Sequence, residues 1–271
     1  GLCERRHRGD DEQLAAEVPS LLCGAFDADA DVLMAADKAV HSVRCRQPAA
    51  DNVDGFGLLD DEILALRTTP GRVCKGGSCC ESCARVVMDH FATEEECKML
   101  CQLVAPLIPA ARSNETTLPL ARCAMESADI KATLLYVRLV ERMRRTVSHY
   151  FGPRLDRLLP ESAFLSRIPA DAPLDSYGRL HADESSNEAF HYSAVLYLTT
   201  QGNDFDGGDF VFSDPVQGDS DGAATSDSSG TPTRRLTRVA PLRGRAVFFS
   251  SGWENLHFVD TVTAGTRLAL P

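Results

Sequence analysis

From about residue 160 the chain alternates apolar and polar positions with a period of two. AFLSRI (163–168), YSAVLYLTT (192–200), DFVFS (209–213), RAVFFS (245–250) and RLAL (267–270) each read as a strand, parted by Gly, Pro and Asp turns. No helical pattern lies between them, which points to a sandwich or barrel rather than a βαβ sheet. Upstream the period changes. RVVMDHF (85–91) reads as a short strand. TEEECKMLCQLVAPL opens with Thr93 and Glu96 at capping-box spacing, carries Cys97, Leu100, Cys101 and Val104 on one face, and ends at Pro106. A second helix is expected through ADIKATLLYVRLVERMRRTVSHYFG, with Ile130, Leu134, Val137, Val140 and Val147 as its apolar stripe and Gly152-Pro153 as its stop.

The pattern divides the chain into three parts: an acidic, Cys-containing region without a sustained period (1–83), a helical support segment (84–158), and a β-rich core (159–271). The fold class is α+β, mainly β. A Ser/Asp/Gly-rich stretch at about 213–233 reads as a low-complexity loop. Cys74, Cys79, Cys80 and Cys83 crowd into CKGGSCCESC. Their spacing lacks the paired C-x2-C of a zinc ribbon, so disulfides are favoured over zinc, and with them the secretory pathway. Cys97 and Cys101 read as core thiols.

Charge narrows the partners. The chain of 271 residues has 28 Lys and Arg against 39 Asp and Glu, a formal net charge of -11. Such a surface repels phosphate, so nucleic acid and anionic membranes are poor partners, whereas a locally basic peptide is attracted. No run of 18 apolar residues occurs and no signal-peptide pattern opens the chain, which begins at Gly1 and so reads as a fragment or processed form.

The chemistry concentrates in GRLHADESSNEAF (178–190). His181 and Asp183 stand two apart, where a strand is expected to begin. In extended chain, residues i and i+2 share a face, so both side chains can reach one ion. His257 in SSGWENLHFVD is the natural third ligand. Two histidines and one carboxylate make the facial triad of non-haem iron(II) oxygenases, with open positions left on the metal. Arg267, ten residues after His257, can hold a dicarboxylate by its far end. Tyr197 shares a strand face with Ser193 and Val195 and can hydrogen-bond to the same carboxylate. Asp204, Asp206 and Asp209 read as turn residues beside Gly207-Gly208. Phe190 and Trp253 are placed to line a substrate mouth or to pack.

HAD, YSAVLYLTTQGNDFDGGDFVFSD and RGRAVFFSSGWENLHFVDTVTAGTRLAL together resemble the Fe(II)/2-oxoglutarate dioxygenases of the prolyl-hydroxylase group, which include the collagen prolyl 3-hydroxylases. The resemblance covers residues 84 to 271 and is sharp from Ala163 onward. It implies a double-stranded β-helix, a distorted jelly roll, backed by N-terminal helices. It implies iron on His181, Asp183 and His257, and Arg267 paired with 2-oxoglutarate, with Tyr197 in support. Ascorbate would serve as reductant and an unstructured peptide or protein as substrate, hydroxylated with release of succinate and carbon dioxide. The setting implied is the endoplasmic reticulum lumen, either free or anchored by an N-terminal membrane helix that this chain does not show. Two departures stand out: the Ser/Asp-rich insertion has no counterpart, and only four residues follow Arg267, leaving the last strand short of what the family uses to close its barrel. Two other readings fit the same residues. A zinc-dependent hydrolase would use the same triad but gives Arg267 and Tyr197 no task. A non-catalytic jelly-roll binding module would keep the motifs without turnover.

Overall fold

The computed structural model describes residues 40–42, 85–104, 117–119, 130–170, 172, 178–187, 189–215 and 234–271. The cysteines of CKGGSCCESC, nearly all of residues 1–83 and most of the Ser/Asp-rich loop lie outside them. Eleven strands are described: β1 Val40–Ser42, β2 Arg85–Met88, β3 Thr117–Pro119, β4 Phe164–Pro169, β5 Tyr192–Tyr197, β6 Phe205–Gly207, β7 Phe210–Pro215, β8 Arg234–Val239, β9 Ala246–Ser250, β10 His257–Val259 and β11 Val262–Leu270. Two helices join them, α1 (Glu94–Val104) and α2 (Ile130–Phe151).

The strands form two sheets. The major one runs β1-β2-β9-β5-β11-β4-β3, with β6 also paired to β11; the minor one runs β10-β7-β8. Every pairing between named strands is antiparallel. Strands neighbouring in the sheets are mostly distant in sequence, the winding of a double-stranded β-helix. β9 shows why the pattern reads as it does. All five of its residues are buried because both faces of the major sheet are covered. Val247 and Phe249 enter the space between the sheets with Val87, Val195, Tyr197, Phe210 and Phe212. Ala246 and Phe248 face the other way, into a second core with Met88, Leu100, Tyr136, Leu139 and Leu196 beneath the helices.

The capping box of α1 forms as its spacing requires. The Glu96 amide donates to Thr93 Oγ1 at 3.2 Å, and the Thr93 amide donates to Glu96 Oε2 at 2.9 Å. Cys97 and Cys101 are free thiols packed against the sheet. Burial pushes the Cys97 thiol up to about 12, which leaves it inert.

The buried face of α2 is rotated from the expected apolar stripe and shares Val147 with it. Leu135, Tyr136, Leu139, Met143 and Val147 are buried, while Val137 is 44% exposed and Leu134 and Val140 are only half-covered. The reason is polar. Arg142 and Thr146 sit in the middle of the true face, and Arg142 is 1% exposed. Its guanidinium donates to both oxygens of Glu96 at 3.0 and 2.8 Å and to the Phe91 carbonyl at 2.9 Å. A charged residue at the centre of a buried face hides that face from a hydrophobic count.

β3 and β8 carry no strand signal in the sequence. β8, RRLTRV, forms the edge of the minor sheet with three of its six residues exposed and only Val239 buried, so little selects for alternation there. β11 starts earlier than expected and pairs on both edges past Arg267, Leu268 and Ala269 with β4, and Ala269 and Leu270 with β5. The short stretch after Arg267 therefore does not leave the last strand unpaired.

The face of α2 is open to test. Leu139→Ala should destabilise the protein by about 2–5 kcal/mol in urea unfolding. Val137→Ala should change it by no more than about 0.5 kcal/mol. The reverse order would mean that the sequence stripe, not Arg142, marks the buried face.

Candidate metal centre

His181 and Asp183 do not open the strand that follows them. That strand starts at Tyr192, and Asp183 lies in a short 3-10 turn, Asp183–Ser185. Ala182 between them is extended (φ -111, ψ 139) and fully buried, which is enough to put both neighbours on one side. His181 is held by a single bridge to β10. Its amide donates to the His257 carbonyl at 3.0 Å and its carbonyl accepts the His257 amide at 2.9 Å. The bridge extends the minor sheet by one residue and sets the two imidazoles side by side, with ring centroids 4.4 Å apart.

The donor atoms converge. His181 Nε2 and His257 Nε2 each lie 3.5 Å from Asp183 Oδ1, and the three ligand atoms fall within 4.8 Å of one another. Both Nδ1 atoms are engaged elsewhere, His181 with the Arg179 carbonyl at 2.7 Å and His257 with the Asn255 carbonyl at 2.8 Å. A carbonyl can only accept, so each Nδ1 carries a proton, and in the neutral ring Nε2 therefore keeps the lone pair for the shared point. That tautomer is the one a metal needs.

The electrostatics agree. Burial alone would raise the Asp183 carboxyl, but the His257 charge and hydrogen bonds from His181, His257 and Ser193 hold it well below the usual carboxylate range. Burial pulls His181 down, and is outweighed by the hydrogen bond to Asp183 and the Arg179 carbonyl, so its pKa is raised. The His257 ring is fixed by an aromatic wall: it stacks on Phe210 at 4.9 Å and meets Phe249 edge-on at 4.9 Å.

A cavity of about 930 Å³ has the triad on its wall, together with Arg267, Ser193 and Phe190. Arg267 is 3% exposed and lies over the Tyr197 ring, its guanidinium carbon 5.2 Å from the centroid. In the register of β11 and β5, Ala269 faces Tyr197, which makes Arg267 and Tyr197 diagonal neighbours on one face. Tyr197 does not line the cavity; it lies behind the arginine. Burial pushes its phenol up to about 12, partly offset by Arg267, so it stays protonated. Gly208 also belongs to the site. A Cβ there would stand 3.1 Å from Arg267 Cδ, and its φ of +69 suits glycine. The Gly pair that reads as a turn thus also leaves room for the arginine stem.

Asp204 and Asp209 serve the turns as their context suggests. Asp204 accepts the Thr200 amide at 2.7 Å and pairs with Arg243, and Asp209 lies 3.5 Å from Arg238. The side chain of Trp253 is outside the described residues. Sequence reasoning gave Ser193 no task of its own. It hydrogen-bonds to Asp183, and its hydroxyl lies 2.7 Å from that of Ser251. The period-two face it shares with Val195 and Tyr197 was the available signal.

Residues 173–271 match the family described as the 2OG-Fe(II) oxygenase superfamily. The chain is 35% identical over 140 residues to the rat 2-oxoglutarate and iron-dependent oxygenase domain-containing protein 3, a match covering 50% of this chain and 39% of that protein. It is 30% identical over 223 residues to human prolyl 3-hydroxylase 1, covering 69% of this chain and 27% of that protein. The chain therefore spans well under half the length of these relatives. A solved prolyl-4-hydroxylase of Pseudomonas putida is 17% identical, with a TM-score of 0.43 over 69% of this chain and 89% of that one.

Protons compete with a metal for each Nε2. Because the His181 pKa is raised above the ordinary imidazole value, Mn(II) affinity should fall as pH drops through that raised pKa and level off at higher pH. Mn(II) is a redox-quiet probe, and its binding can be followed by electron paramagnetic resonance. Asp183→Ala should abolish the binding. Affinity that is flat with pH, or kept by Asp183→Ala, would contradict a three-ligand site.

Proposed function

We propose that the oxygenase domain of this chain hydroxylates a peptidyl residue, with 2-oxoglutarate as co-substrate and succinate and carbon dioxide as co-products. The observation that carries the reading is one cavity wall holding both a two-histidine, one-carboxylate cluster and a buried arginine. His181, Asp183 and His257 would hold iron(II). When bound, iron(II) supplies the one-electron chemistry that couples decarboxylation of 2-oxoglutarate to hydroxylation of a C–H bond.

The chain's own residues then have separate tasks. The depressed pKa of Asp183 keeps it anionic at neutral pH, so it is ready as a ligand. The carbonyls of Arg179 and Asn255 hold both imidazoles in the ligating tautomer. With only three protein ligands, a metal held there would keep sites free for the co-substrate and dioxygen. Arg267 offers a planar donor fork to the far carboxylate, which sets the length of acid that fits. Tyr197 stacks behind the guanidinium and fixes its plane. Phe210, Phe212 and Phe249 exclude water from the His257 side.

The substrate class is a prolyl residue in an unstructured peptide, supported by the prolyl 3-hydroxylase similarity. The acidic balance favours a locally basic segment. Ascorbate is the proposed reductant. Cys74, Cys79, Cys80 and Cys83, read as disulfide partners, favour the secretory pathway, with the endoplasmic reticulum lumen as the proposed site. No described helix is long and apolar enough to cross a membrane.

Anaerobic titration of 2-oxoglutarate into Fe(II)-loaded protein should raise a visible charge-transfer band. Arg267→Ala should weaken that titration roughly 10- to 100-fold, the worth of a charge-assisted contact. Absence of the band in folded, Fe(II)-loaded protein would overturn the proposal.

A further inference from the structure

Behind His257 runs a buried polar chain that the chemistry above leaves unused. Arg85, on β2 of the major sheet, is 1% exposed. It crosses between the sheets to Asp214 on β7, donating from Nη1 to Oδ2 at 3.0 Å and from Nη2 to Oδ1 at 2.6 Å. Its guanidinium carbon lies 4.0 Å over the Phe212 ring. The third arm, Nε, donates to Asn255 Oδ1 at 2.6 Å, and Nη2 also reaches the Glu254 carbonyl at 3.3 Å. Asn255 is fully buried and returns its own amide protons to the Ser250 carbonyl at 2.8 Å and hydroxyl at 2.9 Å. Glu254 accepts the Ser250 hydroxyl. The Asn255 carbonyl is the acceptor for His257 Nδ1.

We infer that Arg85 is a positioning residue of the metal centre, acting through Asn255 on the tautomer and orientation of His257. The inference rests on the metal reading of the triad. The turn Trp253–Asn255 precedes a strand of only three residues, so β10 by itself has little backbone to orient the ring. Arg85 and Ser250 fasten that turn from two sides. With the Asn255 side chain fixed, the Asn255 backbone carbonyl points at Nδ1, the Nδ1 proton stays there, and Nε2 faces Asp183. A buried ion pair is poor evidence of stability, since apolar residues of similar size often serve as well. Holding two sheets together therefore does not account for Arg85. A three-armed donor aimed at the turn that carries a ligand does. Arg85 lies outside the 173–271 match, so the proposed centre draws on a strand that the domain match does not include.

The test uses the whole chain and two variants. Arg85→Lys keeps a cation beside Asp214 but loses the fork to Asn255. Arg85→Met with Asp214→Leu removes the pair together, leaving no orphaned charge if the single variant unfolds. Nitrogen NMR of the histidine rings in metal-free protein reads the tautomer directly, and Co(II) titration by its visible d–d bands reads the site. Wild-type His257 should carry its proton on Nδ1. The folded variants should show mixed tautomers, altered d–d bands and Co(II) affinity lowered roughly 10- to 100-fold. Wild-type tautomer and affinity in a folded variant, with Asp183→Ala losing Co(II), would strike out the role of Arg85 and leave the metal centre standing. Undiminished Co(II) binding in Asp183→Ala would instead remove the metal reading, and this inference with it.

Discussion

Two hydrogen bonds between His181 and His257 make the site possible. In an antiparallel pair that exchanges both amide–carbonyl bonds, opposed residues lie about 5.5 Å apart and project to one side. Here that pair is a single bridge at the edge of the minor sheet. Two imidazoles from distant parts of the chain become neighbours without either strand having to be long. One extended residue, Ala182, then carries the chain to Asp183, and a 3-10 turn takes it away again.

The remaining architecture gives that pair a fixed environment. The minor sheet supplies Phe210 and Phe212 and the major sheet supplies Phe249, and the three rings close around His257. The major sheet also carries Arg267 on β11, stacked over Tyr197 of β5. The helices supply none of the triad, although α2 contributes Val140, Met143, Arg144 and Val147 to the lining of the cavity. They cover the outer face of the major sheet, which is why β9 reads as an unbroken apolar run. Three buried arginines recur in this design. Arg142 ties α2 to α1, Arg85 ties the two sheets, and Arg267 faces the cavity. Each uses the same property, a planar cation that tolerates burial when carboxylates, carbonyls or rings meet its donors.

Much of this was legible in the chain. The period-two strands, the capping box at Thr93 and the H-x-D with a later histidine are local signals; the structure forms the strands and the box and brings His181, Asp183 and His257 together. What was hidden depends on pairing across long separations. The buried face of α2 is disguised because Arg142 sits at its centre, and only Glu96, far upstream, explains it. β8 is an exposed edge, so its composition is free to be RRLTRV. Ser193 looks like any strand serine until Asp183 is beside it. Arg85 is one cation in an apolar segment, and its partners Asp214 and Asn255 lie more than a hundred residues on. The His181–Asp183 segment looked like a strand mouth because two residues of extended chain cannot be told from the start of a strand.

The measurement that bears most directly on the oxygenase reading is release of labelled carbon dioxide from 1-labelled 2-oxoglutarate in air. It reads turnover of the co-substrate, so the prime substrate need not be identified first. Release that requires added Fe(II) and disappears in Asp183→Ala would be the expected result. No release above the protein-free control, from folded protein that has taken up Fe(II), would contradict it.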